Sequence, residues 1–388
     1  LAHLDKNSKV YHLKDNFAKR TFGFTQKLPM EKVAIVEFNS YHDECLYSQL
    51  KFLDSAGYSQ TLVVSSQIKD RASEYLDIPE AVITFDCSHQ KNFFSRISFI
   101  LKLKKQLKKR GVKTVIFNTA SSRLEVILLS LILKKRTALF GILHNLKKVN
   151  HSFSQKLINT SIKNYFVLND FLEDSIELED KSIQLRGFYP IFFPTYEGTT
   201  IKKPKEEVWI SIPGKLDFGR RDYYLVAEAL QKLQSKRNLK ILILGSTNSN
   251  DPRSREFIGF IQKNNLQGNF MAFDSFLDND VFHDYLKKSD YILIPLNAIG
   301  DNYAKHKIMG CYNQAFGYQK TMISPIGLRH IPDIGKHSIF YDGAKGLSSV
   351  LEKISQGKGE KKEYLESKWS FEAQKNNYIS FLEENQIK

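Results

Sequence analysis

Four residues suited to holding an anion fall in one short run, Gly214, Lys215, Arg220 and Arg221, within SIPGKLDFGRRDYYLVAEAL (Ser211–Leu230). A phosphate needs concentrated positive charge and backbone N–H donors, and the carboxyl edge of a parallel sheet beside a helix N-terminus supplies both. Gly214 lets the backbone approach a ligand closely. Lys215, Arg220 and Arg221 can then neutralise a diphosphate. A second group is EFNSYHDEC (Glu37–Cys45), where His42 has a pKa suited to proton transfer near neutrality. Asp43 and Glu44 either orient or replace that histidine, or they cap the helix that follows. A third is DNYAKHKIMGCYNQ (Asp301–Gln314). Helical spacing there puts Tyr303 and Lys307 near one face, with Asn313 and Gln314 at the far end.

The elements that must position these groups follow from hydrophobic patterning. KVAIVEF (Lys32–Phe38) fits a buried parallel strand, and Glu44–Ala56 has helical spacing. Further strands are expected at Thr61–Ser65, Ala81–Phe85, Thr114–Phe117, Thr137–Leu143 and Asn164–Leu168, with helices at Asn92–Arg110 and Ser122–Lys134. His144 directly follows one of those strands. Around Pro190, Pro194 and Pro204 the pattern breaks, as a linker would. It restarts at Val208–Ile212, continues through Lys240–Leu244 (ended by Gly245), Asn269–Phe273, Tyr291–Pro295 and Thr321–Ser324, and closes with a helix at about Ser370–Glu384. The intervening helices are expected at Asp222–Leu233, Ser254–Asn264, Val281–Lys288, Ile308–Phe316 and Gly346–Ile354. Strands alternating with helices imply right-handed βαβ crossovers and parallel sheets. The fold class is α/β, with two doubly wound Rossmann-like domains. Boundaries are expected at 30–190 and 207–368, joined by a linker at 191–206, with an extension at 1–29 and a last helix at 369–388.

Length agrees, since 388 residues exceed one ordinary core. The longest apolar run, VILLSLIL (Val126–Leu133), is too short for a bilayer, which needs about 20 residues, and reads as a buried helix. The first residues lack the apolar core of a secretory signal, so a cytoplasmic address is expected. The sequence begins without Met, and Met30 is a candidate native start. Cys45, Cys87 and Cys311 are widely spaced without a ligand pattern and read as reduced thiols. The net charge is +15, and 101–150 carries thirteen Lys/Arg against one carboxylate, Glu125. Such a block implies an anionic partner.

The order of motifs in Val208–Pro325 resembles the C-terminal domain of GT-B glycosyltransferases, especially the bacterial group that builds surface polysaccharides. SIPGKLDFGRRDYYLVAEAL is similar to that group's strand, Gly-Arg/Lys-Leu turn, basic pair and helix. FDSFLDNDVFHDYLKKSDYILIPL (Phe273–Leu296) and AFGYQKTMIS (Ala315–Ser324) resemble its next two segments, with Thr321 where a proline is usual. SKWSFEAQKNNYISFLEEN (Ser367–Asn385) is similar to its helix crossing back to the first domain. The resemblance implies two domains facing a cleft and transfer of a sugar from a UDP- or GDP-linked donor to a glycan or lipid-linked acceptor, without metal or other cofactor. Lys215 then matches the first basic position and Arg220 or Arg221 the second. Gly245 and Phe273 join the donor-binding set. His144 matches a histidine that meets the donor sugar. Retaining members carry two Glu residues where this sequence has Ala304 and Tyr312, which favours inversion with His42 as base. Lys307 is then expected on the phosphates, and Asn313 or Gln314 on ribose or sugar hydroxyls. Tyr303 and Tyr312 take either a ligand or a packing role.

The helix Asn92–Arg110 is expected to pack Phe93, Ile97, Ile100 and Leu107 on the sheet and to show lysines to an anionic membrane surface, making the protein peripheral on the inner face of the cell membrane. The other readings are a basic nucleic-acid-binding protein, for which no reader motif appears and no nucleic acid is expected, and a non-catalytic or phosphorylase-like GT-B protein. Dinucleotide binding is disfavoured, because neither first βα turn carries Gly-x-Gly-x-x-Gly. Six further histidines, His89, His151, His283, His306, His330 and His337, show nothing that separates them from surface residues.

Overall fold

The computed structural model describes residues 31–86, 92–196, 200–247, 250–297 and 302–386. The expected extension at 1–29 and Cys87 lie outside them. Apolar, β-branched runs form the strands of a first sheet: β1 (Lys32–Val36), β2 (Ser59–Ser65), β3 (Ala81–Phe85), β4 (Thr114–Phe117), β5 (Ala138–Leu143), β6 (Asn164–Leu168) and β7 (Gln184–Phe188). Their order is β3-β2-β1-β4-β5-β6-β7, and every pair is parallel. A second sheet holds β8 (Val208–Pro213), β9 (Leu239–Ser246), β10 (Phe270–Phe273), β11 (Tyr291–Leu293), β12 (Thr321–Pro325) and β13 (Ser338–Tyr341), ordered β10-β9-β8-β11-β12-β13. Each sheet reverses its strand order beside its first strand. That reversal opens a crevice at the carboxyl ends of the strands.

The helices between strands use the local signals expected of them. Asn92 caps Phe93–Arg110 by accepting from the Ser95 N–H at 2.8 Å, and Gly111 ends it at φ 73°. Asp222 caps Tyr223–Gln231 through the Leu225 N–H at 2.8 Å. Two strands lie beyond the expected set, β7 and β13. Both are edge strands whose sequences carry polar residues or glycine (QLRGF and SIFY), so neither shows the continuous apolar run of a central parallel strand. The helix Leu124–Leu133 also departs from expectation. It buries Val126 and Leu129 but leaves Leu131 in solvent, because a helix covering one face of a sheet still has an outer side. Likewise Phe93 is exposed, and Leu103 takes the place expected for it beside Ile100 and Leu107.

The last helix, Phe371–Glu384, closes the molecule onto the first sheet. Tyr378 is fully buried, stacks on Phe166 at 4.2 Å and 8°, and donates its hydroxyl to Gln49 Oε1 at 3.0 Å. Phe381 meets Phe166 edge-on at 5.0 Å. Removing a buried aromatic ring of this kind costs about 3–5 kcal/mol. Tyr378→Ala is therefore expected to lower unfolding stability by that amount, and Tyr378→Phe by about 1 kcal/mol for one hydrogen bond, read from urea transitions.

Candidate functional site

Between the carboxyl edges of the two sheets lies a cleft of about 800 Å³. Its second-sheet wall is the turn Gly214–Phe218 after β8, together with Gly245 and Ser246 at the end of β9 and Gln314. Gly214 has φ 94°, a left-handed value that favours glycine. A Cβ on Gly245 would collide with the Gly214 carbonyl oxygen and stand 2.8 Å from the Leu216 nitrogen. Glycine at 245 is thus what lets the turn lie against β9.

The two arginines of the turn point to different partners. Arg221 is buried, and its guanidinium donates to the carbonyls of Pro213 at 2.6 Å, Gly214 at 3.3 Å and Lys215 at 3.3 Å. Its donors serve the turn from within. Arg220 is outside, paired with Asp217 at 2.6 Å and within 3.4 Å of the Tyr303 hydroxyl. The Lys307 ammonium sits over the Tyr303 ring at 4.4 Å. Lys215, Gly214, Gly245 and Gln314 line the cleft, whereas Arg220, Tyr303 and Lys307 form a group of their own beside it. Asn313 is buried, with Oδ1 lacking a partner, and Tyr312 is fully buried in a cluster with Met309, Phe316 and Met322, where burial pushes its phenol well above the ordinary value. Phe273 packs on Tyr285 at 5.2 Å.

The opposite wall comes from the first sheet. His42 adopts φ 71°, and this left-handed residue turns the chain after β1. Its ring stacks on His144 at 3.8 Å and 25°, and its Nδ1 is 3.1 Å from Glu44 Oε1. Burial lowers the His42 pKa, but the Glu44 hydrogen bond and the charges of Glu44, Glu37 and Asp43 outweigh it and leave it raised. Burial, then the neighbouring His42 charge, pushes His144 down to about 3. Desolvation of Glu44 is overcome by its bond to His42, which holds the carboxyl at about 2. Glu44 and Asp43 line the cleft. Asp43 pairs with Arg71 at 2.9 Å, and the Arg71 carbonyl accepts from Asn279 Nδ2 at 2.8 Å, a bond between the two halves.

His42, Glu44 and His144 are also the three metal-ligating side chains that approach one another among the described residues, with atoms within 4.8 Å. The two rings lie in nearly parallel planes 3.8 Å apart, and the Glu44–His42 contact is placed to share a proton.

Asn118, at the end of β4, carries this wall and had no role in the sequence reading. Its Nδ2 donates to Glu37 Oε2 and to the His42 carbonyl, each at 2.8 Å. Its Oδ1 accepts from Gln49 at 2.7 Å, and its own carbonyl meets His144 Nε2 at 2.8 Å. Glu37 is buried among Asn39, Asn118 and Thr119, and burial raises its pKa despite those bonds. The sequence signal was present in the polar run NTASS after TVIF, the same position relative to β4 that EFNSYH holds relative to β1. Cleft residues Arg71, Tyr75, Tyr196 and Arg253 were also missed, because they belong to segments without a motif. Two histidines set aside as surface-like are not: His337 is buried, and His283 lines the cleft with Nδ1 2.7 Å from the Tyr318 hydroxyl.

Linkage fixes the signs. The raised His42 pKa contributes stability present below the ordinary value of about 6.5 and lost as pH rises through the folded value. The depressed His144 value contributes stability present above about 6.5 and lost as pH falls toward about 3. Imidazole NMR is expected to show His42 titrating above 6.5 and His144 neutral through pH 5, with Glu44→Gln lowering the His42 value.

No protein-family model and no curated protein sequence matches this chain. Solved structures do match. A glycosyltransferase from Rickettsia africae ESF-5 is similar at a TM-score of 0.59 and 14% identity, over 92% of this chain and 94% of that one. Anabaena HepE in complex with UDP gives 0.58 at 11%, over 92% and 96%. A UDP-N-acetylglucosamine 2-epimerase gives 0.55 at 10%, over 92% and 96%. The chain therefore has the GT-B fold, two parallel α/β sheets of the Rossmann type facing a cleft.

Proposed function

We propose that the protein is a glycosyltransferase that moves a sugar from a UDP- or GDP-linked donor to a glycan or lipid-linked acceptor, with inversion and without a metal. The observation that carries this reading is a close-approach basic turn at Gly214–Lys215 facing, across one cleft, the Glu44 carboxylate, which is bonded to His42 just behind it. The domain at 207–368 binds the donor. Its diphosphate lies on the Gly214–Leu216 backbone, with Lys215 and Arg220 neutralising the charge that develops on the leaving group. Lys307, held over Tyr303, adds to that field. Gln314, which lines the cleft, is assigned to ribose or sugar hydroxyls in place of the buried Asn313. His144, kept neutral, faces the sugar as an uncharged hydrogen-bonding group.

The domain at 30–190 brings the acceptor. With Nδ1–H given to Glu44, His42 Nε2 takes the acceptor hydroxyl proton while that oxygen forms a bond to the anomeric carbon. The bond from the anomeric carbon to the β-phosphate oxygen breaks, and the nucleoside diphosphate leaves. Glu44 at about 2 is too weak a base for this step, so its part is to orient His42. Asp43 holds Arg71. A cytoplasmic place beside the membrane, in surface-polysaccharide or glycoconjugate synthesis, fits a lipid-linked acceptor.

Thermal unfolding with UDP, GDP, CMP and NAD tests the donor assignment. One nucleoside diphosphate alone should raise the Tm, a gain of about 2.7 kcal/mol at a hundred times Kd. Lys215→Glu and Arg220→Glu should remove that response. His42→Ala should keep it while kcat falls by about 10²–10⁴. Conversion of the free donor to an epimer, with no transfer product, would overturn the reading.

A further inference from the structure

The helices that follow β3, β4 and β5 do not end their chemistry at the sheet they cover. Phe93–Arg110 packs beside Leu124–Leu133, which packs beside Phe153–Asn159, forming one layer. Six of the ten exposed large hydrophobic side chains among the described residues belong to this layer: Phe93, Phe94, Leu101, Leu131, Phe153 and Leu157. Phe94 is 81% exposed and Phe153 78%. A concentration of this kind marks an interaction surface, since single scattered apolar residues need no explanation.

Charge identifies the partner. Lys102, Lys105, Lys108 and Lys109 are exposed on the first helix, and Lys134–Arg136 follows the second. The one carboxylate in 101–150, Glu125, is fully buried 3.7 Å from Arg96. Lys156 is paired with Glu179 and contributes less. Large aromatics next to unopposed lysines suit a surface with an anionic plane over an apolar interior. No described helix is long and apolar enough to cross a membrane.

Position adds a constraint. Phe93, Phe94 and Phe153 stand at the N-terminal ends of their helices, which in a parallel α/β sheet follow the carboxyl ends of the strands, where the cleft opens. We propose that this three-helix layer docks flat on an anionic lipid bilayer, Phe94 and Phe153 entering the headgroup boundary near the cleft and the lysines lying on lipid phosphates. The use of such docking, bringing a lipid-linked acceptor to His42, rests on the transferase reading; the surface itself does not.

Flotation of the full chain with vesicles, in about 0.15 M salt, separates the two. The protein should float with phosphatidylcholine vesicles containing phosphatidylglycerol and not with phosphatidylcholine alone. Reversal at Lys105→Glu, Lys108→Glu and Lys109→Glu together should lower partitioning by at least about a hundredfold. Phe94→Asp with Phe153→Asp should lower it by about tenfold or more. All these side chains are exposed, so unchanged circular dichroism and an unchanged Tm response to nucleotide should accompany the loss. Absence of flotation, or equal flotation of the variants, would overturn the proposal. So would a dimer in sedimentation equilibrium that Phe94→Asp dissolves, which would give the face to a second copy. Binding of single-stranded RNA in preference to anionic vesicles would overturn it as well.

Discussion

Where a parallel strand leaves its sheet, backbone groups lose their ladder partners and must be satisfied by something else. Both sides of this cleft are built on that requirement. After β8, the buried Arg221 guanidinium takes the carbonyls of Pro213, Gly214 and Lys215. After β1 and β4, the Asn118 amide takes the His42 carbonyl and a Glu37 oxygen, while its own carbonyl meets His144. A charged side chain spent on main-chain carbonyls is costly to bury, and it is offset here only because several acceptors converge on it. The result is two braced walls whose cleft-lining groups include Lys215 on one and, on the other, Glu44 with its His42 partner.

The last helix ties into this arrangement through a continuous chain of bonds. Tyr378 reaches Gln49, Gln49 reaches Asn118, and Asn118 holds the His42 loop. The same helix donates through Asn377 to the Gly187 carbonyl, and the turn that leads into it is anchored by Lys368 on Asp333 of the second half. A helix packed on the first sheet but entered from the second couples the spacing of the halves to the placement of the histidines. The Leu146 N–H bond to the His306 carbonyl at 2.9 Å makes a further link between them.

Much of the fold was legible because central parallel strands need uninterrupted apolar runs, as in KVAIV, TVIF and ALFGIL. Edge strands such as Gln184–Phe188 escaped that test, with Arg186 and Gly187 in the run. At the candidate site, Gly214, Lys215 and His42 could be singled out from residue type and position after a strand, and His144 from the family resemblance. The difference between Arg220 and Arg221 could not, since adjacent side chains leave a turn in different directions and only the fold shows which is turned inward. The parts played by Asp43 and Asn118 depend on Arg71, Glu37 and Gln49, partners 28 to 81 positions away. Nothing local in the sequence signals such pairings.

The central claim is that a nucleoside diphosphate sits on the Gly214–Leu216 turn with its sugar end toward His42 and His144. A crystal structure of the protein with UDP or GDP tests it most directly. The account predicts β-phosphate oxygens within hydrogen-bond reach of the Gly214–Leu216 backbone and of Lys215 and Arg220, with Arg221 still on its three carbonyls. A nucleotide bound away from that turn, or held by Arg221 after release of those carbonyls, would contradict it.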